Sequence, residues 1–459
     1  MKDSLRRSIF ALLLAFALFG VCCDRGDYDP PPPGTEVGGF GVAGDDDDDN
    51  DDNDDETACD ASLRPVIFVY GIMENGDSFS TQSMRFTSNG YCRDRLFTYD
   101  WNAFSGYWNE SPRFARYVAA VSAATGATQV DVISHSLGAG VVVGCLSDPA
   151  GASRIAHYAQ VAAVPCLAIP PTVPSLNLSS VDDRIVGVCE PEGADNLVLS
   201  GVDHLQTVTS AETFAELFTF FNDGRQPATT EVVPEEPILL SGRTVMYMFN
   251  EPIAGTEIRI FEVDAATGER LSAAPDAVLT SDADGSWGDF LAEPGAYYEF
   301  VCLDPLGEWP PAHTYREPFV RSNNNVYFRV YPPKDSWFGV LFSLLPTDDS
   351  LAKISWTSIN RSVITGRDTF AVDGIDLATP EVADADFTTL YVMFDDLNAN
   401  GLSDHTVLSL LPSRNYIKLY DLHVGTQTRR SVVFEFDGRR LAVPNWKALS
   451  EGVSTVVFE

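Results

Sequence analysis

One stretch of the chain, VDVISHSLGAGVVVG from Val130 to Gly144, has the residue types of a nucleophilic turn. A β-branched run, Val130, Val132 and Ile133, enters a turn of small residues. Ala139, Val141, Val142, Val143 and Leu146 leave it with the apolar content of a buried helix. A serine between small neighbours in such a strand-to-helix turn is lifted on a strained backbone above the sheet edge, where its hydroxyl can attack a carbonyl. Ser136 holds that place, with Gly138 two residues on and Ser134 where a first glycine is usual.

A serine hydroxyl is a weak nucleophile until an imidazole takes its proton, and the imidazole needs a carboxylate to fix its tautomer. The chain has six histidines. His135 adjoins the serine and points the wrong way for a base. His157 reads as a helix-side residue, and His313, His405 and His423 fall outside the α/β part. His204 remains, in LSGVDHLQTVTSAETF, between the last strand-like run and the last helix. The carboxylate should end a strand between serine and histidine. LNLSSVDDRIV offers Asp182 and Asp183 there, and Asp203 beside His204 is a third candidate.

Acyl transfer also needs two backbone donors for the developing oxyanion, one after the nucleophile and one after an early strand. Leu137 and, in RPVIFVYGIMENG, Ile72 occupy those positions. Tyr70 stands where a histidine is usual before that glycine, which alters the loop's support but removes no donor.

The elements that must position these residues alternate. Pro65 to Tyr70 is a continuous apolar run, as for a strand buried on both faces of a parallel sheet. RLFTYDWN reads as a second strand, and Ser111-Pro112 is expected to cap a helix carrying Phe114, Tyr117, Val118 and Val121 at i, i+3, i+4 and i+7. HYAQVAAVP, PSLNLSSVDDRIV and DNLVLSGVDH follow as strand-like runs. Ser210 then caps a last helix with Phe214, Leu217, Phe218 and Phe221 at the same spacing. Strands alternating with helices imply a doubly wound parallel sheet.

Residues 64–234 resemble the small extracellular bacterial and archaeal lipases of the α/β-hydrolase fold, through RPVIFVYG, QSMRFTSNGY, SHSLG and DHLQTVTSAETFAELFTFFNDGRQPATT. The resemblance implies hydrolysis of carboxylic esters, often acylglycerols, by a Ser-Asp-His triad without cofactor or metal. Matched residue by residue, it assigns Ser136 and His204. It favours Asp183, because Asp183-Arg184-Ile185-Val186 fits the D-x-I-V turn common in such enzymes, with Asp182 as the rival. Some members add a β-rich C-terminal domain thought to engage lipid.

After GRQPATTEVVPEEPILLSG, which has the composition of a linker, the texture changes to short β runs. TVMYMFN, TEIRIFEVD, AYYEFVCL, NVYFRVYPP, WFGVLFSLLP, TLYVMFDD, SVVFEFDG and STVVFE all read as strands. VDAATGERL and TSDADGSWGDF read as hairpin turns of one or two β-sandwich modules. In DDLNANGLSDH, Asp396, Asn398, Asn400 and Asp404 alternate around Gly401 as in a calcium loop. The glutamate at position twelve is missing, and a plain Asx-rich turn is the favoured reading. Trp309 and Trp337 are candidates for contact with lipid or glycan, or for ordinary packing.

The N-terminus, MKDSLRRSIFALLLAFALFGVCC, has a basic start and an apolar run too short for a bilayer crossing, the layout of an export signal. Cys22 and Cys23 resemble a bacterial lipobox, which implies membrane attachment through an N-terminal lipid. GDDDDDNDDNDDE, Gly44 to Glu56, has nothing apolar to offset its ordering entropy and reads as a solvated tether. The expected organisation is a signal at 1–23, an acidic linker at 24–60, a catalytic part at 61–230 and a β-rich part at 231–459, in a secreted or envelope-anchored protein.

A formal net charge of −36 excludes nucleic acid as a partner. Beyond the N-terminal pair, six cysteines allow fifteen full disulfide pairings, with Cys145 expected as a buried free thiol and no Cys/His spacing suggesting zinc. The competing readings are a non-enzymatic envelope lipoprotein with a decayed site, and an acyltransferase or polyester depolymerase on the same scaffold.

Overall fold

The computed structural model describes residues 59–459 apart from 248, 344–346, 383–387, 395, 397–399, 412–413 and 426–427. The expected signal, the lipobox and nearly all of the acidic tether lie outside the described residues, as does Asn398. Among the described residues no helix is long and apolar enough to cross a membrane.

β1 (Val66–Val69), β2 (Leu96–Thr98), β3 (Val130–His135), β4 (Ile155–Val161), β5 (Ser175–Ser180) and β6 (Asp195–Leu199) form one sheet in the order β2-β1-β3-β4-β5-β6. Every pairing is parallel. All side chains of β1 and β3 are buried; β1 is apolar throughout, as a strand covered on both faces requires, while β3 also buries Asp131, Ser134 and His135, each with a hydrogen-bond partner. Parallel neighbours need crossovers, and helices α1 (Ser80–Ser88), α2 (Tyr107–Thr125) and α3 (Gly138–Leu146) supply the first three; α4 (Ala211–Phe221) follows β6. This is an α/β-hydrolase sheet, and its parallel register has one consequence for function. The carboxyl ends of β1, β3, β5 and β6 lie on one edge, so the segments after them are neighbours in space.

The apolar face of α4 packs Phe214, Phe218 and Phe221 around Phe86 of α1. Each such ring contributes on the order of 1.5–3 kcal/mol by its burial. Ser210 caps α4 as expected, its hydroxyl accepting from the Thr213 amide at 3.2 Å.

Four local expectations are corrected. α2 starts at Tyr107, not behind Ser111-Pro112. Its first turn is held by buried Glu110, which bonds the Tyr99 hydroxyl and Ser105, and Ser111 turns its hydroxyl back to the Tyr107 carbonyl. His157 lies on strand β4, with Nδ1 2.9 Å from Asp131. WFGVLFSLLP does not form a strand: Trp337–Ser343 is helical, because Ser336 caps it by accepting the Gly339 amide at 3.0 Å. TSDADGSWGDF is not a hairpin turn but passes between two sheets, since the strand after it pairs elsewhere.

The C-terminal half is β-rich. β7 (Ile238–Met246), β10 (Ser286–Ala292) and β13 (Asn323–Val330) form a three-stranded sheet. β15 (Phe370–Val372), β16 (Ile375–Asp376), β20 (Ser431–Phe436) and β21 (Arg439–Pro444) form a four-stranded one. Both pack on a nine-stranded sheet in the order β18 (Asp404–Leu411), β19 (Arg414–Asp421), β17 (Leu390–Phe394), β14 (Lys353–Ser358), β22 (Val453–Phe458), β12 (Ala312–Arg316), β11 (Tyr297–Leu303), β8 (Glu257–Val263) and β9 (Ala277–Thr280), so that the last strand in sequence, β22, lies in its middle. One apolar core unites Leu240, Ile260, Trp287, Phe300 and Phe328, and a second unites Trp356, Phe370, Phe434, Phe436 and Phe458. Two sandwich cores therefore share one sheet. In β8 (Glu257–Val263), Ile258 and Ile260 face the core while Arg259 is exposed, as the alternation in TEIRIFEV anticipates.

The linker-like segment is strapped down. Asn89 Oδ1 accepts the Ala228 and Thr229 amides, and Ser88 accepts that of Val233. Disulfides join Cys59 to Cys92 and Cys166 to Cys189, while Cys145 and Cys302 are buried free thiols. Trp309 donates to the Pro332 carbonyl at 2.8 Å and packs on Tyr331, the contacts of a structural residue. Asp396 accepts the Asn400 and Gly401 amides, the bonds of an Asx-rich turn.

Candidate active site

β3 delivers Ser136 into the turn with φ +50°, a left-handed conformation that costs a non-glycine residue energy and that packing must enforce. The Ser136 amide donates to the Val161 carbonyl at 3.0 Å, and the Ser136 carbonyl accepts the Val164 amide at 3.1 Å. A Cβ on Gly138 would stand 2.5 Å from the Val69 carbonyl oxygen and 2.6 Å from that of Tyr70, so only glycine lets α3 start this close to β1. At the other small position, Ser134 is accommodated with its hydroxyl 2.7 Å from that of Tyr158. The departure from glycine there is absorbed by one buried hydrogen bond.

The loop after β1 lies against this turn. A Cβ on Gly71 would fall 2.7 Å from Ser136 Cβ and 3.2 Å from its Oγ. Tyr70, in place of histidine, holds the loop through its hydroxyl, which donates to Asp100 at 3.1 Å and accepts the Trp101 amide at 2.8 Å. The Trp101 indole donates to the Tyr70 carbonyl at 2.9 Å. Within YDWNAFSGYW, Trp101 therefore packs, whereas Phe104 and Trp108 are 42% and 58% exposed. The amides of Ile72 and Leu137 have no hydrogen-bond partner among the described residues.

Asp183 and His204 follow β5 and β6. His204 Nδ1 lies 2.7 Å from Asp183 Oδ2, with both side chains buried. Asp183 Oδ1 accepts the Ile185 and Val186 amides at 2.8 and 3.0 Å, a use of this turn that the D-x-I-V spacing reflects. Burial pushes the Asp183 carboxyl up, but His204 and the two amides outweigh it and hold it below the usual carboxylate range. An ionised carboxylate only accepts, so Nδ1 carries the proton and Nε2 is left as the acceptor.

The two other aspartates are engaged elsewhere. Asp182 accepts the Gly201 amide at 2.6 Å. Asp203 accepts the Leu205 and Gln206 amides from its own loop, and the Ser362 amide and Arg367 from the β-rich half.

Two residues that sequence reasoning passed over adjoin this pair. His135 Nδ1 lies 2.9 Å from the Glu74 carboxylate, and its Nε2 lies 3.2 Å from the His204 carbonyl oxygen. Both partners only accept, so His135 carries two protons and a positive charge. Burial opposes that charge, yet Glu74 raises the imidazole above its usual range; burial likewise opposes the Glu74 carboxylate, which His135 and His204 hold low. The Gly71 amide donates to Glu74 Oε2 at 2.7 Å, so this ion pair ties the loop after β1 to the serine turn and to the backbone of His204. The acid in GIMENG and the histidine beside Ser136 were visible signals, but nothing in their spacing pairs them.

Glu74, His135 and His204 present metal-ligand atoms within 4.8 Å of one another. Three of their ring nitrogens are engaged by the hydrogen bonds just described, to Glu74, the His204 carbonyl and Asp183. Beside His204 a narrow crevice is lined by Asp182, Arg184, Ile185, Asp203, Ser362 and Ile364.

Residues 63–143 match the family described as lipase (class 2), and residues 236–333 match the lipase C-terminal domain. Among solved structures, the chain is similar to the esterase RhEst1 from Rhodococcus sp. ECU1013, at 16% identity over 37% of this chain and 94% of that one, with a TM-score of 0.29. It is also similar to a putative aryl esterase from Burkholderia cenocepacia, at 18% identity over 36% and 92%, with a TM-score of 0.29. The two family matches favour the enzymatic reading. The chain is a carboxylic ester hydrolase of the lipase and esterase kind, with an ester or lipid as substrate.

Proposed function

We propose that the chain is an exported lipase that cleaves acylglycerol esters by acyl transfer to Ser136, with His204 as base and Asp183 as its carboxylate. The observation that carries this reading is the 2.7 Å contact of His204 Nδ1 with a buried, ionised Asp183, on the sheet edge where Ser136 stands at φ +50°.

Ser136 Oγ attacks the ester carbonyl while His204 Nε2 takes its proton. The carbonyl oxygen, now anionic, accepts from the Ile72 and Leu137 amides, and Asp183 offsets the charge on the imidazolium. The imidazolium then protonates the leaving alkoxide. Water, deprotonated by the same nitrogen, attacks the acyl-enzyme and releases the acid with Ser136 restored.

Ser136→Ala is expected to abolish turnover of p-nitrophenyl esters and of triacylglycerol emulsions, and labelling by a fluorophosphonate. An alanine variant that keeps ester turnover or still takes up the fluorophosphonate would sink the assignment. Attachment through lipid at Cys22 or Cys23 is supported by the signal-like N-terminus. An alkyne fatty acid fed to cells making the full chain should label the protein, and a double Cys22→Ser, Cys23→Ser variant should carry no label.

A further inference from the structure

We propose that the loop 360–368 of the second sandwich is a working part of the active site. Arg367 is a positioning residue that holds the His204 loop through Asp203. This rests on the roles given above to Ser136, Asp183 and His204.

Asp203 is 3% exposed, and its carboxylate receives four donors. Two are amides of its own loop. The other two are the Ser362 amide at 3.1 Å and an Arg367 nitrogen at 2.7 Å. A buried carboxylate is costly unless it is hydrogen-bonded and its charge is offset. Half of the donors, and the cation in contact with it, arrive from the other half of the chain.

Arg367 reaches further: another of its nitrogens donates to Gln206 Oε1 at 2.8 Å, and that oxygen also accepts the Asp203 amide at 3.2 Å. One guanidinium thus grips residues on both sides of His204. Nearby, Thr209 donates to the Asn360 carbonyl at 2.7 Å and Thr81 to its side chain at 3.1 Å, so the loop is also tied to the segment after His204 and to α1. A loop serving only to join two halves need not approach the reacting groups. Here Ser362 and Ile364 line the same crevice as His204. The family match to the β-rich half ends at residue 333, before this loop begins.

The charged and titratable groups facing His204 are Asp183, the Glu74–His135 pair and Asp203 with Arg367, whose guanidinium is shared with Asp368, itself also paired with Arg361; Asp182 and Arg184 share the crevice. Removing Arg367 leaves the Asp203 charge uncompensated beside His204, which favours the imidazolium and moves the acid limb of kcat/KM to higher pH.

The test uses the full chain with Arg367→Ala and Arg367→Lys, and Ser136→Ala as reference. Arg367→Ala should lower kcat about tenfold with KM nearly unchanged, and raise the acid limb by about half a pH unit. Arg367→Lys should return the limb and leave kcat reduced, since an ammonium keeps the charge but not the fork.

Wild-type kcat and an unmoved limb in Arg367→Ala overturn the positioning role. If Arg367→Ala does not fold, wild-type kcat in Arg367→Lys overturns the positioning role instead. Normal activity in these variants beside an inactive Ser136→Ala defeats this inference alone. An active Ser136→Ala defeats the reading beneath it.

Discussion

Asp183 and Asp182 are neighbours in the chain and serve different partners: Asp183 meets His204 Nδ1 at 2.7 Å, while Asp182 accepts the Gly201 amide at 2.6 Å. Asp183→Asn removes the acceptor that fixes the tautomer of His204. Turnover is expected to fall by about 10⁴-fold, as in serine proteases, with the fold retained. Asp182→Asn should stay active and lose about 1 kcal/mol at most, the value of a turn-capping bond. Turnover and melting temperature of the two variants, measured side by side, test this. The reverse pattern would move the proposed carboxylate one residue.

Gly138→Ala places a methyl group against the carbonyl oxygens of Val69 and Tyr70, backbone atoms that cannot rotate away. We expect a loss of about 1–3 kcal/mol and a fall in turnover larger than the stability change explains, because the serine turn and the Ile72 loop are pushed apart. Urea unfolding and ester hydrolysis on the same sample separate the two effects. Retention of full activity would show that the close approach is dispensable.

The two halves of the chain meet at a buried charge. Arg243 of β7 lies 3.0 Å from Asp100, which also accepts the Tyr327 and Tyr70 hydroxyls at 3.0 and 3.1 Å. Arg243→Met strands the carboxylate and should cost about 3–5 kcal/mol at neutral pH. Burial already pushes the Asp100 carboxyl above its ordinary value, against the pull of Arg243. The deficit should therefore shrink as the pH falls and Asp100 takes up a proton. Denaturation at neutral and acid pH checks both statements.

The Glu74–His135 pair stabilises the fold within a pH window. Glu74 is held below its ordinary value of 4.5, so its contribution is present above that value and is lost as the pH falls through the lowered folded value. His135 is raised above 6.5, so its contribution is complete below 6.5 and is lost as the pH rises through the raised folded value. Melting temperatures of wild type and Glu74→Gln should differ most between these limits and converge on both sides. A constant difference across the range would mean that the pair adds no ionic stabilisation.

What the sequence by itself determined is local and periodic. The apolar runs of β1 and β3, the small residues around Ser136, the spacing in α4 and the alternation in β8 each follow from burying one face of a short segment, so neighbouring residues suffice to read them. The candidates Ser136, His204 and the three aspartates could be picked out for the same reason, since each follows a strand-like run. The start of α2 was not, because a buried glutamate bonding residues outside the helix overrides a serine-proline signal. Tertiary structure alone decided which aspartate meets His204, that Glu74 pairs with His135, and that Arg367 supports a loop 164 residues away. Those contacts join loops at the edges of different sheets. Hydrogen-bond geometry in a buried site fixes them to tenths of an ångström, and no periodicity along the chain records which loops the packing of two halves will bring together.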